Sequence, residues 1–397
     1  MGEGAVLTGL SRLAVLSLKL AQYRSYALCT IGTGGASVAL HGPNGAGKTN
    51  ILEAVSMLVP GRGLRRAGVD EVVRRPGSLG WRVRAEVMTP AGVIEIATGV
   101  EAGEAPRRSV EIDGKPATQT ALGQQVRMVW LTPAMDRLWL EGAGDRRRFL
   151  DRIALGFDPH HAETSLTYEK AMRARNRLLK EPGWDDAWLG ALEAQMARAG
   201  ARIARARADS LIRLNDAQSA PRIGGETLFP RADLSILGDM EIRFSQAVRA
   251  GDDVDSLEVE QASGLSRSLA SSRQRDAAAG RTLTGPHRSD LAAVYAVKNM
   301  PAAACSTGEQ KALLISLCLA NARALAEATG APPILLLDEV AAHLDAARRR
   351  ALFAEIEALG AQAWMTGTGP ELFDGLGAGA LRLAVTETGG VSAVAEA

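Results

Sequence analysis

The segment Gly42-Pro43-Asn44-Gly45-Ala46-Gly47-Lys48-Thr49 fits the pattern G-x-x-x-x-G-K-[ST]. Its glycines let backbone N–H groups curl around the β- and γ-phosphates of a nucleotide. Lys48 adds a point charge to those phosphates, and the Thr49 hydroxyl can hold Mg²⁺. A second chemical pair, Asp338-Glu339, closes the apolar run Ile334-Leu335-Leu336-Leu337. Asp338 would reach Mg²⁺ there, directly or through water, and Glu339 would act as general base on the attacking water. An apolar strand ending in acids is common by itself. Joined to the glycine-rich loop, it reads as the hydrolytic half of a Walker-type site. ATP and Mg²⁺ are the expected ligands, with Lys48 and Glu339 as the catalytic pair.

A third segment, Ser306-Thr307-Gly308-Glu309-Gln310-Lys311, lies upstream of that strand and opens a helix. It resembles the signature motif of ABC ATPases, in the form used by the SMC-like and repair branches. The Ser306 hydroxyl, the Gly308 backbone and the helix N-terminus make an anion site, although the same residues also make an ordinary helix cap. The resemblance implies that Ser306, Gly308, Glu309 and Gln310 cap the γ-phosphate held by a partner subunit, so that a homodimer sandwiches two ATP molecules. By the same resemblance, Asp345 in His343-Leu344-Asp345 occupies the D-loop. Thr366 stands where a switch residue senses γ-phosphate, a place usually held by His in transporters. Gln124 and Gln125 are candidates for the Q-loop.

These residues need elements to hold them. Alternation predicts strands at Val15 to Leu20 and Ser37 to Leu40, the second running into the glycine-rich loop. Ile51, Leu52, Val55 and Leu58 share one face of a helix that Pro60-Gly61 stops. Trp81 to Ile112 reads as antiparallel strands with a turn at Asp113-Gly114, and Val126 to Leu131 as another strand. From Asp145 to Asp216 helical periodicity dominates, with breaks near Pro159 and at Pro182-Gly183. Residues 217–251 return to strand character through Leu234, Ile236, Ile242 and Phe244, and Arg267 to Gly280 is helical. From Gly285 the first pattern resumes: a strand at Leu291 to Val297, a helix at Gln310 to Ala326, the strand Ile334 to Leu337, a helix at Ala346 to Leu359, and a strand at Ala363 to Met365.

Composition bounds the class. The 397 residues, 46% hydrophobic and 23% charged, suit two globular domains rather than one core or a disordered chain. The formal net charge of +1 excludes a bulk polycation, so any nucleic-acid contact needs a local patch. Cys29, Cys305 and Cys318 show no C-x-x-C spacing, which argues against zinc and fits a reducing compartment. Neither a signal peptide in Met1 to Leu20 nor a membrane-length apolar run is evident, so a soluble cytoplasmic protein is expected.

At a larger scale the chain resembles the RecF family of bacterial DNA replication and repair proteins. Tyr23-Arg24-Ser25-Tyr26 is similar to the family's aromatic-Arg-x-Tyr segment, and Gly47 to Ala54 to its phosphate-loop helix. Pro60-Gly61-Arg62-Gly63-Leu64-Arg65 resembles its basic loop. Asp145 to Asp151 resembles its R-R-x-F-L-D element, Arg175 to Lys180 its R-N-x-L-L-K helix, and Thr284 to Arg288 its G-P-H-R turn. Ser289 departs from the pattern where an acid is common, and Ala134-Met135-Asp136 lacks a Glu often seen there. The resemblance implies ATP-dependent dimerisation and DNA binding. It also implies a slow ATPase that helps RecO and RecR load RecA at single-strand/duplex junctions.

Arg62, Arg65 and Arg66 follow the phosphate-loop helix and are candidate DNA contacts. Arg198, Arg202 and Arg205, and likewise Arg173 and Arg177, fall on single helical faces. A solvated face with internal pairs, such as Arg205 with Asp209, is the bland alternative. Aromatic residues make up only 4%, so duplex-backbone contact is favoured over a single-strand stacking platform. The expected fold is an α/β ABC-type P-loop ATPase head built from both chain ends (1–125 and 280–397), with an inserted, largely helical arm (126–279). An ABC-transporter ATPase subunit is the alternative, but it predicts neither the insertion nor the G-P-H-R turn. An SMC-like coiled-coil protein needs far more heptads than lie between Thr49 and Ile334.

Overall fold

The computed structural model describes residues 11–75, 80–101, 107–220 and 228–396. Part of the signal-peptide reading falls on residues 1–10, outside the described residues. The chain opens with β1 (Ala14–Tyr23), β2 (Tyr26–Gly32), β3 (Val38–His41) and α1 (Lys48–Ser56). Next come β4 (Gly80–Thr89), β5 (Gly92–Glu101), β6 (Ser109–Ile112), β7 (Lys115–Pro116), α2 (Gln119–Gln125) and β8 (Met128–Leu131). Helices α3 (Ala143–Phe157), α4 (His161–Leu178) and α5 (Asp186–Ser219) follow. Then come β9 (Ala232–Leu237), α6 (Asp239–Ala250), α7 (Val254–Ser271), α8 (Arg273–Ala279), β10 (Asp290–Tyr295) and β11 (Met300–Pro301). The chain ends with α9 (Thr307–Thr329), β12 (Ile334–Leu337), α10 (Ala346–Leu359), β13 (Ala363–Gly367), β14 (Leu381–Thr388) and β15 (Val391–Glu396).

Two compact units result. The head comprises Met1–Asp136, Ser219–Pro230 and Thr307–Ala397, and the arm comprises Arg137–Gln218 and Arg231–Ser306. The head carries two six-stranded sheets. One has the order β2-β1-β4-β5-β6-β7 and is antiparallel throughout. The other has the order β15-β14-β3-β13-β12-β8, and only its edge strand β15 runs antiparallel. The four-residue strands β3, β8 and β12 read as apolar runs, as expected of parallel strands covered on their faces. Helix α1 packs against β1 of one sheet and β13 of the other, and Ile51 to Ser56 are all buried. Gln362 joins the sheets as well: its side-chain amide exchanges hydrogen bonds with Val15 N–H (2.8 Å) and Val15 O (2.9 Å). Among the described residues α9 is the one helix long and apolar enough to cross a membrane. Most of it is buried in the protein instead.

The arm packs α3 to α8 with the small antiparallel sheet β11-β10-β9. Its bounds differ from the expected 126–279 at both ends. β8 pairs in parallel with β12 and so belongs to the head, while β10 pairs with β9 and carries residues 280–306 into the arm. The strand expected through Ile242 and Phe244 is the helix α6. Glu241, Phe244 and Ala247 are its buried residues, and their spacing of three places them on one helical face.

Candidate functional site

Strands β3, β13 and β12 lie side by side and parallel, so their C-terminal ends converge. The glycine-rich loop leaves β3, Thr366 sits near the end of β13, and Asp338-Glu339 follow β12. Ligand sites in parallel α/β sheets form at such ends. The loop can turn here only because Gly42 lacks a side chain. It has φ +149°, and a Cβ there would lie 2.1 Å from Val385 O on β14. Gly45 and Gly47 are also left-handed, at +84° and +107°. Lys48 is buried, and its Nζ donates to Gly42 O (2.6 Å) and Pro43 O (2.7 Å). Burial pushes the Lys48 ammonium down, while Glu339 and Asp338 pull it up.

Asp338, 6% exposed, is the hub of the acidic side. Its Oδ1 accepts from Thr49 Oγ1 (2.9 Å) and from Thr366 Oγ1 (2.8 Å). The Thr366 hydroxyl in turn accepts the Glu339 N–H at 2.8 Å. Glu339 is half-buried with φ +54°, a left-handed conformation that a non-glycine residue holds only where its surroundings enforce it. A carboxylate and a hydroxyl 2.9 Å apart beside an anion-binding loop form an oxygen donor set suited to Mg²⁺. Thr366, 1% exposed, has its hydroxyl engaged with Asp338 and Glu339.

The other expected site residues divide. Ser306, Thr307 and Gly308 are exposed at the start of α9, Glu309 is half-buried and Gln310 is buried. Lys311 pairs with Asp136 at 3.1 Å, a bond from α9 to the segment after β8. Asp345 caps α10 by accepting the Arg348 N–H, and it is exposed. Gln124 and Gln125 end α2, upstream of β8. The segment that arrives beside Asp338 is instead the end of β8, where Leu131 O accepts the Asp338 N–H at 2.9 Å. Sequence reading stopped short of this because register with β12 cannot be read locally.

The segment Tyr23 to Tyr26 anchors α1. Arg24 grips the fully buried Glu53 carboxylate through Nε (2.8 Å) and Nη2 (2.7 Å), and that bond raises the Arg24 pKa. Tyr23 stacks edge-on against Trp81. Arg108, missed in the sequence, reaches Gly61 O (2.6 Å) and Met57 O just beyond α1. Its burial lowers its pKa to about 10.

Arg62, Arg65 and Arg66 are exposed, and Arg65 also donates to Asn50 Oδ1 at 2.7 Å. In the arm, Arg202 and Arg205 pair across to Glu258 (3.3 and 2.9 Å), with Arg205 also on Asp255. The expected Arg205–Asp209 pair gives way, and Asp209 takes Arg213. Arg173 pairs with Glu169. Arg146 forms two 2.8 Å bonds to Asp290, and Arg147 donates to Ser289 O. The fully buried Arg175 pairs with Glu193 (3.0 Å) and Asp276 (2.8 Å). Ser289, the position that departs from an acid, takes Arg207 Nη1 at 2.9 Å.

Comparison with known proteins follows the same outline. The sequence profile of the RecF/RecN/SMC N terminal domain matches residues 14–375. The chain is 49% identical over 364 residues to the DNA replication and repair protein RecF of Mesorhizobium japonicum, covering 91% of this chain and 93% of that one. It is 48% identical over 396 residues to the RecF of a Caulobacter species, covering 96% and 98%. A solved structure of the recombination mediator protein RecF with ATP superposes with a TM-score of 0.79 at 23% identity, covering 98% of this chain and 99% of that chain.

Proposed function

We propose, from the premise that this chain belongs to the RecF family of DNA replication and repair proteins, that it is an ATP-gated DNA clamp. The observation that carries the reading is the cluster in which Thr49, Asp338, Thr366 and Glu339 are joined by consecutive hydrogen bonds beside the Lys48 loop. The solved relative with ATP supports ATP as the nucleotide. Residues Gly42 to Thr49 would cradle the phosphates, and Thr49 with Asp338 would hold Mg²⁺. That ion supplies charge neutralisation at the β- and γ-phosphates when bound.

Lys48 shifts from the Gly42 and Pro43 carbonyls to phosphate oxygens. Glu339 accepts a proton from the water as its oxygen bonds to the γ-phosphorus, and the bond to the β,γ-bridging oxygen breaks to release ADP. Ser306, Gly308, Glu309 and Gln310 of a second copy cap the γ-phosphate, with Asp345 at the same interface. ATP thereby closes a homodimer, and slow, DNA-stimulated hydrolysis opens it. The closed dimer binds duplex backbone near single-strand gaps in the cytoplasm and works with RecO and RecR to load recombinase. Arg62, Arg65 and Arg66 are the head's candidate DNA contacts.

The test is the solution mass of the Glu339→Gln protein, by light scattering, with ATP and gapped duplex added separately and together. A dimer with ATP that retains the duplex is the expected result. A protein that stays monomeric with ATP would remove the shared-site mechanism. A dimer indifferent to DNA would remove the clamp.

A further inference from the structure

We propose that Ser392, on the C-terminal β14–β15 hairpin, is a positioning residue for the phosphate loop, a role that rests on the nucleotide-binding reading above. A trans peptide points its C=O and N–H in opposite directions. In a loop that aims N–H groups inward at an anion, the matching carbonyls must therefore face outward, and whatever holds those carbonyls sets the aim of the donors. Ser392 Oγ donates to Ala46 O at 2.6 Å, and so fixes the plane that carries the Gly47 N–H. Tyr26 Oη donates to Gly47 O at 3.2 Å, and so fixes the plane that carries the Lys48 N–H.

The Ser392 hydroxyl also lies 2.7 Å from Ser25 Oγ. A hydroxyl has one proton. With that proton on Ala46 O, the bond between the two serines must be donated by Ser25. Ser25 Oγ in turn accepts from Asn50 Nδ2 at 2.8 Å. The result is a directional chain from Asn50 through Ser25 and Ser392 to the loop carbonyl, each hydroxyl both giving and taking. The backbone holds it in register, because the Ser392 N–H donates to Ser25 O at 3.0 Å. Ser392 is 3% exposed. The fit leaves no slack: a Cβ on Gly47 would come within 2.5 Å of Ser392 Oγ and 2.9 Å of Ser25 Oγ. The hairpin thus holds the loop through a carbonyl that points away from the adjoining N–H donor. Its loss should weaken binding and spare the chemical step.

The experiment uses the full-length protein and a fluorescent N-methylanthraniloyl ATP with Mg²⁺. It measures Kd, steady-state kcat and KM, and the nucleotide-free Tm for wild type, Ser392→Ala, Ser392→Thr, Ser25→Ala, Ser25→Ala/Ser392→Ala and Lys48→Ala. Ser392→Ala should raise Kd and KM roughly five- to tenfold, the worth of one hydrogen bond. Its kcat should stay within about twofold, as for a residue that acts on binding alone. The nucleotide-free Tm should fall by no more than the few degrees that one buried hydrogen bond is worth, and Ser392→Thr, which keeps the hydroxyl, should restore affinity. Because Ser25 acts through Ser392, the double variant should bind no worse than Ser392→Ala alone.

The proposal is overturned if Ser392→Ala binds as wild type does, or if its loss of affinity comes with a matching fall in Tm that Ser392→Thr does not rescue. Wild-type protein that binds no better than Lys48→Ala would overturn the nucleotide reading itself, a result distinct from failure of the Ser392 variants alone.

Discussion

Thr366→Val is expected to slow ATP turnover while leaving nucleotide affinity almost intact. Valine keeps the β-branched shape that suits β13, so the strand should persist. The substitution deletes a hydroxyl that donates to Asp338 Oδ1 and accepts the Glu339 N–H, both at 2.8 Å. A hydrogen bond to a charged group contributes about 1.5–3 kcal/mol, and a buried N–H left unpaired costs about 1–3 kcal/mol. The two terms share one hydroxyl and do not simply add. Glu339 also sits at φ +54°, where strain of about 1–3 kcal/mol favours release once its tether is gone. If about 1.4–2.7 kcal/mol of this appears at the barrier, kcat falls roughly 10–100-fold. Lys48 and the loop glycines make none of their bonds to Thr366, so Kd should change by less than about threefold. The assay pairs phosphate release at saturating ATP with fluorescent-nucleotide titration, and Thr366→Ser serves as the hydroxyl-retaining control. Wild-type kcat in Thr366→Val would refute the tether. Loss of affinity with kcat unchanged would instead place Thr366 at the nucleotide.

Two further outcomes test the signature motif and the arm. Ser306→Arg should abolish ATP-dependent dimerisation by light scattering yet keep wild-type Kd for nucleotide, because Ser306 is exposed and precedes α9; loss of both would undo the assignment of the motif. Arg175→Ala should destabilise the protein by about 3–5 kcal/mol in urea unfolding, since it strands the buried Asp276 carboxylate and takes one of two arginines from Glu193. Arg273 still holds Glu193 at 2.6 Å, so adding Asp276→Asn should recover much of the loss; a change under about 1 kcal/mol in Arg175→Ala would show that the pair carries little net energy.

The clustering of the head's site residues was legible because it depends on residue types that few other tasks require in that order. A Gly-rich loop before Lys48-Thr49, and acids at the end of an apolar strand, are local statements. What escaped was set by partners distant in sequence. The β14–β15 hairpin carries Ser392, yet nothing in Leu381–Glu396 signals that it meets residues 25 and 46. β8 joins the head and β10 the arm by pairings that composition does not encode. In α6, Ile242 and Phe244 stand two apart and mimic a strand. The competing spacing through Glu241, Phe244 and Ala247 prevailed because that face had a core to meet.

The arm's arginines show the same limit from the other side. Arg146, Arg175 and Arg207 each face carboxylates of their own unit: Asp290 for the first, Glu193 and Asp276 for the second, Asp151 and Glu241 for the third. A cation held by such partners gains little from a DNA phosphate, because the existing pair must be broken and its carboxylate left without a counter-charge. An exposed cation has no such debt, and the counterions it displaces from DNA add to its affinity. Any backbone contact should therefore draw on exposed side chains such as Arg62 in the head, or Arg177 and Arg198 in the arm. The basic segments that carry the family resemblance in the arm are then largely the ones that build it. DNA contact has to be sought among arginines whose residue type alone cannot distinguish them from a solvated face.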